Sequence, residues 1–247
     1  MKANKLVMSV DYNDESYNYK SYWDKRSYEH NAEVIALKKL LPKRGKFFID
    51  IGGGFGRLLP IYKDRFEKIT IVDASNKILE QAKKQAESLR VTDITFKVSR
   101  LPFVNEVFSQ FDCVLMVRVS HHLADLDSAI SSLSKLMMKD GVFVFEFANK
   151  MHFLNVVKNL IKFNFNFFSK DPYKLKTFTL WHPEYVRKIL DKNGFRVEEK
   201  LSVSNFRNSL IKKFIPERIL LILESFFQKP FAYINFGPSI FIRARKL

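Results

Sequence analysis

The chain has 247 residues, 47% of them hydrophobic, which is enough for the core of one sizeable α/β domain and argues against disorder. Its apolar runs fall far short of the roughly 18 residues a membrane span needs, and residues 6–10 are too short and interrupted for a secretory leader, so the reading is a cytoplasmic protein. The net charge is +16 and sits mainly in residues 150–247, with 19 Lys/Arg against 7 Asp/Glu, while the single Cys113 excludes an internal disulfide, a cysteine zinc cluster and a CxxC redox pair.

Residues 1–26 are polar and tyrosine-rich, with Tyr12, Tyr17, Tyr19, Tyr22 and Trp23, and read as an irregular N-terminal arm. A helix is predicted from Ser27, because Val34, Leu37 and Leu41 recur at helical spacing and Pro42 stops it. Residues 46–51 form a short apolar run ending in glycines, the pattern of a buried strand followed by a turn. Residues 56–66 are predicted helical and 69–72 form a second strand, after which Ser75 caps a helix running to about Ser88. Three more strands are predicted over 94–98, 113–117 and 142–147, the last two separated by a helix over 126–138. Such alternation gives right-handed crossovers and a parallel sheet covered on both faces, which binds ligands at the carboxyl ends of its strands. Residues 151–168 then read as an inserted apolar and basic helix, 183–193 as a helix ended by Gly194, and 195–201 as a strand. Residues 210–227 are apolar nearly all round and interrupted by Pro216, and 239–244 close the chain as a strand with Ile240, Ile242 and Ala244 on one face. The whole is one domain over 1–247. It comprises an arm and helix (1–44), a cofactor-binding core (45–149), a helical cap insertion (150–180) and C-terminal helices and strands (181–247).

The most informative stretch is Asp50-Ile51-Gly52-Gly53-Gly54-Phe55-Gly56, which leaves a buried strand and enters a helix. Glycines there let the backbone turn tightly and let a ligand approach the main chain. Gly52, Gly54 and Gly56 make GxGxG, whereas a dinucleotide fingerprint needs glycine at position 57, which is Arg57. That spacing favours a nucleoside without a pyrophosphate. Asp73, at the end of the second strand, is placed to accept hydrogen bonds from ribose hydroxyls, and Asp50 can meet an amino group directly or through water.

This set of strand, loop, helix, strand and acid resembles the class I S-adenosylmethionine-dependent methyltransferase family. The likeness covers residues 45–147 well and the rest more loosely. It extends to Phe111-Asp112-Cys113-Val114-Leu115-Met116-Val117-Arg118-Val119-Ser120-His121-His122-Leu123 after the fourth strand, to the strand entry Lys135-Leu136-Met137-Met138-Lys139-Asp140-Gly141-Val142, and to His182-Pro183-Glu184 leading into Gly194-Phe195. The resemblance is nearest to the small-molecule branch. It implies a Rossmann-like, doubly wound sheet of seven strands with the last antiparallel, and S-adenosyl-L-methionine as cofactor. The cofactor-binding candidates are Asp50, Gly52, Gly53, Gly54, Gly56, Asp73, Ala74, Ser99 and Arg118, with Tyr17, Tyr22 and Arg26 of the arm as lid candidates. One departure stands out: where the family often has an acid after its third strand for the adenine amino group, this chain has Val98-Ser99-Arg100. A guanidinium cannot accept that hydrogen bond, and Ser99 is the nearest acceptor.

Methyl transfer from a sulfonium is an in-line displacement, so the protein mainly aligns donor and acceptor. If a base is used, His121 and His122 at the end of the fourth strand are the catalytic candidates, since imidazole titrates near neutrality. No Asn-Pro-Pro-Tyr or Asp-Pro-Pro-Tyr follows that strand and no Pro-Cys occurs there, which argues against amino methylation of adenine or glutamine and against cytosine C5 methylation. An oxygen or carbon of an apolar or amphipathic small molecule is the expected acceptor. Phe153, Phe163, Phe165, Phe167, Phe168 and Phe178 in the insertion are candidates to wall a substrate pocket. An anionic membrane surface is a further candidate partner, and RNA, held or methylated by the basic C-terminal part, is the alternative. No metal site is expected, and the oligomeric state is left open.

Overall fold

A computed structural model describes residues 20–103 and 110–247. After a short 3₁₀ turn at Lys20–Trp23, the elements are α1 (Ser27–Leu40), β1 (Gly45–Ile51), α2 (Leu59–Tyr62), β2 (Phe66–Asp73), α3 (Asn76–Ser88), β3 (Ile94–Val98), β4 (Phe111–Met116), α4 (Leu126–Leu136) and β5 (Met137–Ala148). They continue with α5 (Phe153–Ile161), the two-residue strands β6 (Tyr173–Lys174) and β7 (Thr179–Leu180), α6 (Pro183–Lys192), β8 (Phe195–Val203), α7 (Ser209–Phe214), α8 (Glu217–Tyr233) and β9 (Ser239–Lys246). Seven strands form one sheet in the order β3-β2-β1-β4-β5-β9-β8. All run parallel except β9, which is antiparallel to both its neighbours. The expected Rossmann-like sheet with an antiparallel last strand is therefore present.

Alternating side chains of each strand feed two separate cores, as a sheet covered on both faces requires. From β1, Phe48 joins Cys113 and Leu115 of β4 beneath α1, α2, α3 and α8. Ile49 and Ile51 point the other way, with Val114 and Met116, beneath α4 and α6. In β9, Phe241 enters the first core, while Ile240, Ile242 and Ala244 enter the second. Cys113 is fully buried, and burial pushes its thiol well up, so it is an inert packing group.

The local signals act as their chemistry predicts. Ser75 caps α3 by accepting the Ile78 N–H, and Asp125 caps α4 by accepting that of Ser128. Helix α2 is far shorter than the predicted 56–66, because Gly56–Leu58 form turns and Phe66 already begins β2, paired with Gly45 and stacked on Phe48. β5 starts at Met137 rather than Val142, so the predicted helix over 126–138 stops two residues earlier. The insert between β5 and α6 is one helix, a 3₁₀ turn (Phe165–Phe168) and a small hairpin rather than a continuous helix.

Strand order reverses between β1 and β4, and this switch point opens a crevice at the carboxyl ends of both. The glycine loop and the His121-His122 turn flank it.

Candidate cofactor and active site

The loop after β1 carries three left-handed glycines, Gly52, Gly54 and Gly56, with φ of +69°, +57° and +79°. That conformation disfavours any side chain. Gly52 also lies so close to the β4 exit that a Cβ there would collide with Val119 Cγ2. Around this loop the carboxylates converge. Asp73 Oδ2 accepts the Gly54 N–H at 3.1 Å and its Oδ1 accepts that of Ser75 at 2.9 Å, which fixes the acid at the rim of the loop with lone pairs to spare. Ala74 is half-buried beside it, and the Ser99 N–H donates to the Asp73 carbonyl at 3.0 Å, so β3's exit borders the same crevice. Arg100 is exposed and within Coulombic reach of Asp73.

Asp50 lies beneath the loop, 2% exposed, with Tyr62 Oη donating to it at 2.8 Å. Burial pushes its carboxyl up to about 7, against the pull of the Tyr62 hydroxyl and Arg57. A carboxyl this deep, with one hydroxyl donor and no direct ion pair among the described residues, is suited to a cationic ligand group. The donor set therefore fits a cationic nucleoside: a backbone cradle, a buried acid and a half-buried acid at the rim.

Several buried polar contacts beside the loop escaped the sequence reading, including the partners of Arg118. Glu33 of α1 is completely buried and held by two arginines: Arg57 Nη2 at 2.6 Å and Arg118 Nη2 at 2.5 Å. Burial pushes the Glu33 carboxyl up, but Arg118 and Arg57 outweigh it and hold it below the usual glutamate range. Arg118 itself is left-handed at φ +63°, its N–H donated to Glu146 Oε2 at 2.9 Å, while Glu146 also receives the Ser239 hydroxyl. The Arg57 guanidinium lies 3.6 Å over the Trp23 ring, which ties the arm to the glycine loop. Tyr22 lies edge-on to Trp23, with Arg26 4.1 Å over the Tyr22 ring. Tyr22 and Arg26 thus sit together on the arm, whereas Tyr17 falls outside the described residues. The partners of this network are 24 and 85 residues apart in sequence, so only a lone buried-pattern Glu in α1 hinted at it.

His121 and His122 occupy a 3₁₀ turn directly after β4, ring centroids 4.0 Å apart. Burial, then the charges of His122 and Arg118, push His121 down to about 3; burial also lowers His122. The turn is pinned from the far side by Trp181, whose Nε1–H donates to the Ser120 carbonyl at 3.0 Å and whose ring stacks on Tyr185. Of the insert's phenylalanines, Phe167 is buried, while Phe153, Phe163 and Phe165 are exposed, so these three do not wall an enclosed pocket.

A doubly wound sheet with a reversed last strand, a non-dinucleotide glycine cradle at its switch point and an acid at the end of β2 defines a nucleoside-dependent transferase. Residues 49–143 match the family model described as a methyltransferase domain. The chain is 26% identical to the tRNA 5-carboxymethoxyuridine methyltransferase of Escherichia coli, over 80% of this chain and 79% of the relative. Its fold matches an S-adenosylmethionine-dependent methyltransferase structure from Listeria monocytogenes, described there as putative (TM-score 0.62, 17% identity, 89% of this chain and 99% of that one). It also matches magnesium protoporphyrin IX methyltransferase from Synechocystis, solved with bound SAH (TM-score 0.60, 20% identity, 96% and 90%). The chain has the class I methyltransferase fold and is an S-adenosylmethionine-dependent methyltransferase, with S-adenosyl-L-methionine as its cofactor.

Proposed function

We propose that the enzyme methylates an oxygen or carbon of an apolar or amphipathic small molecule. Held over Gly52–Gly56, the cofactor would supply an electrophilic methyl group: an aligned acceptor lone pair would bond to that carbon in line as its C–S bond breaks and neutral S-adenosylhomocysteine leaves. In this reading Gly52, Gly53, Gly54 and Gly56 present backbone groups to the methionine half, Asp50 takes its ammonium group and Asp73 the ribose hydroxyls. Ala74 and Ser99 border the adenine. Tyr22 and Arg26 close over the site with the arm. Arg118, its guanidinium committed to Glu33, holds α1 against the cradle and is a positioning residue. Between the two histidines, His121 is too weakly basic at about 3 to draw a proton near neutrality, so we assign any base role to His122.

What supports the acceptor class is the half-buried histidine turn, pinned by the Trp181 Nε1–H on its Ser120 carbonyl and with both imidazoles pushed toward the neutral form by burial, beside an insert without acidic residues from 151 to 170. An apolar acceptor suits that side of the crevice. A second reading, methylation of RNA, is motivated by the basic excess of residues 150–247 and by the likeness to a tRNA methyltransferase of Escherichia coli. Incubating the purified enzyme with labelled cofactor and fractionated extract separates the two. Label in the lipid or small-molecule fraction supports the first reading, and label confined to RNA sinks it. Within the first reading, His122→Asn should lower kcat while leaving cofactor affinity intact.

A further inference from the structure

Helix α5 contains no buried residue, although Phe153, Leu154, Val156, Val157, Leu160 and Ile161 make it predominantly apolar. A nine-residue helix is marginal in water by itself, and this one has little core to lean on. The apolar surface continues beyond it. Ile161, Phe163, Phe165, Phe214 and Phe226 are each at least 66% exposed. The ring of Phe153 stacks on Phe236 at 5.1 Å, Phe236 meets Phe231 of α8 at a tilt at 4.5 Å, and Phe231 stacks on Phe227 at 4.9 Å, which joins the insert to α8. On α8, Ile219, Ile222 and Phe226 recur at helical spacing along its exposed side. Exposed apolar side chains in this number, on α5, α7 and α8, mark a surface that meets something.

Charge selects the occupant. No acidic residue occurs in 151–170 or in 225–247. The two acids of α8 are engaged: Glu217 accepts from Ser27 and Asn31, and Glu224 is buried against Tyr28. Lys158, Lys162, Lys170, Lys213, Arg218 and Lys229 make no ion pair among the described residues. We propose that the face formed by α5, the Phe165–Phe168 turn, α7 and α8 docks on an anionic lipid bilayer, with rings and aliphatic side chains at the acyl boundary and ammonium groups at the lipid phosphates. A second copy would set these cations against each other across a two-fold axis. Bases stack on phenylalanine rings too; what favours a bilayer over RNA is the aliphatic share of the face, Leu154, Leu160, Ile161, Ile219 and Ile222, which gives a base neither a ring plane nor a polar group. No helix among the described residues is long and apolar enough to cross a membrane, so the contact is a surface one.

Docking needs neither donor nor acceptor, so the test is sedimentation of the full chain with vesicles of phosphatidylcholine alone and of phosphatidylcholine mixed with phosphatidylglycerol. Binding to the anionic vesicles is expected to exceed binding to neutral ones by about tenfold and to weaken with salt. The exposed triple variant Ile161→Ser/Phe163→Ser/Phe165→Ser should lose about tenfold in vesicle affinity with its circular dichroism and cofactor binding unchanged. Lys158→Glu/Lys162→Glu supplies an independent arm that leaves the apolar surface alone, with the same loss expected. The proposal is overturned if the wild type stays in the supernatant with both vesicles, if it binds both equally, or if either variant binds like wild type. It is likewise overturned if ultracentrifugation and gel shifts at physiological salt show self-association or RNA binding in place of vesicle binding.

Discussion

Asp50 and Glu33 are both buried carboxyls, and their surroundings drive them in opposite directions. Asp50, pushed up to about 7, keeps a proton in the folded state that the unfolded chain releases near pH 4. Its burial therefore costs stability that grows as pH rises from about 4 to about 7, and Asp50→Asn should flatten that part of the urea-midpoint profile. If Asp50 meets the cofactor's ammonium group, calorimetry should show affinity rising between about pH 6 and 8 in the wild type and flat in Asp50→Asn. A pH-independent wild type would remove Asp50 from the site. Glu33 is the reverse case: held below its ordinary range by two arginines, it stabilises the fold above the ordinary glutamate pKa, and that contribution is lost as pH falls through the lowered value. Glu33→Ala leaves Arg57 and Arg118 facing each other without a counter-charge. The expected cost is about 3–5 kcal/mol in denaturant unfolding, and a loss under about 1 kcal/mol would mean that water replaces the carboxylate.

At the scale of elements, a buried lysine adds to the Phe153–Phe236 stack in tying the insert between β5 and α6 to the rest of the molecule. Lys150 is 1% exposed, and its Nζ donates to the carbonyls of Ser169 and Asp171 at 2.7 and 2.8 Å across the Phe167 ring. Lys150→Ala should release the insert from the sheet. Trypsin is expected to cut at Lys162–Lys176 about tenfold faster, while unfolding of the sheet shifts by only about 1–3 kcal/mol. Unchanged cleavage would show that the hairpin anchors itself. The sheet's central strands were legible because the buried parts of β1 and β4 carry the apolar runs Phe47-Phe48-Ile49 and Cys113-Val114-Leu115-Met116, and β3 was bounded to the residue. The first half of β2 hid behind exposed Glu67 and Lys68, and the start of β5 behind Lys139-Asp140-Gly141, which resembles a helix end. The glycine cradle was legible because its chemistry is local. The Glu33–Arg57–Arg118 clamp and the Trp181 pin were not, because each joins residues that only the crossovers bring together.

Across the whole molecule, residues distant in sequence lock together. Tyr28 Oη of α1 donates to Glu224 of α8 at 2.6 Å, Gln228 Nε2 to the Ala32 carbonyl at 2.9 Å, and Lys39 Nζ to the Ser225 carbonyl at 2.7 Å. Glu224 also gathers the N–H groups of Ser204 and Asn205 where β8 ends, so one buried carboxylate joins the first helix, the last helix and the sheet. β9 lies inside the sheet, hydrogen-bonded on both sides to strands that precede it in the chain. A break in the loop at residues 205–208 would thus yield one piece with a gap between β5 and β8 and another, α7 to β9, that owns the missing strand. Neither half can satisfy its backbone alone. Co-expressed, the two should reassemble into a cofactor-binding complex whose yield depends on concentration, which turns the fold into a fragment-complementation reporter; cofactor binding by the larger piece alone would show that β5 and β8 can close the seam without it.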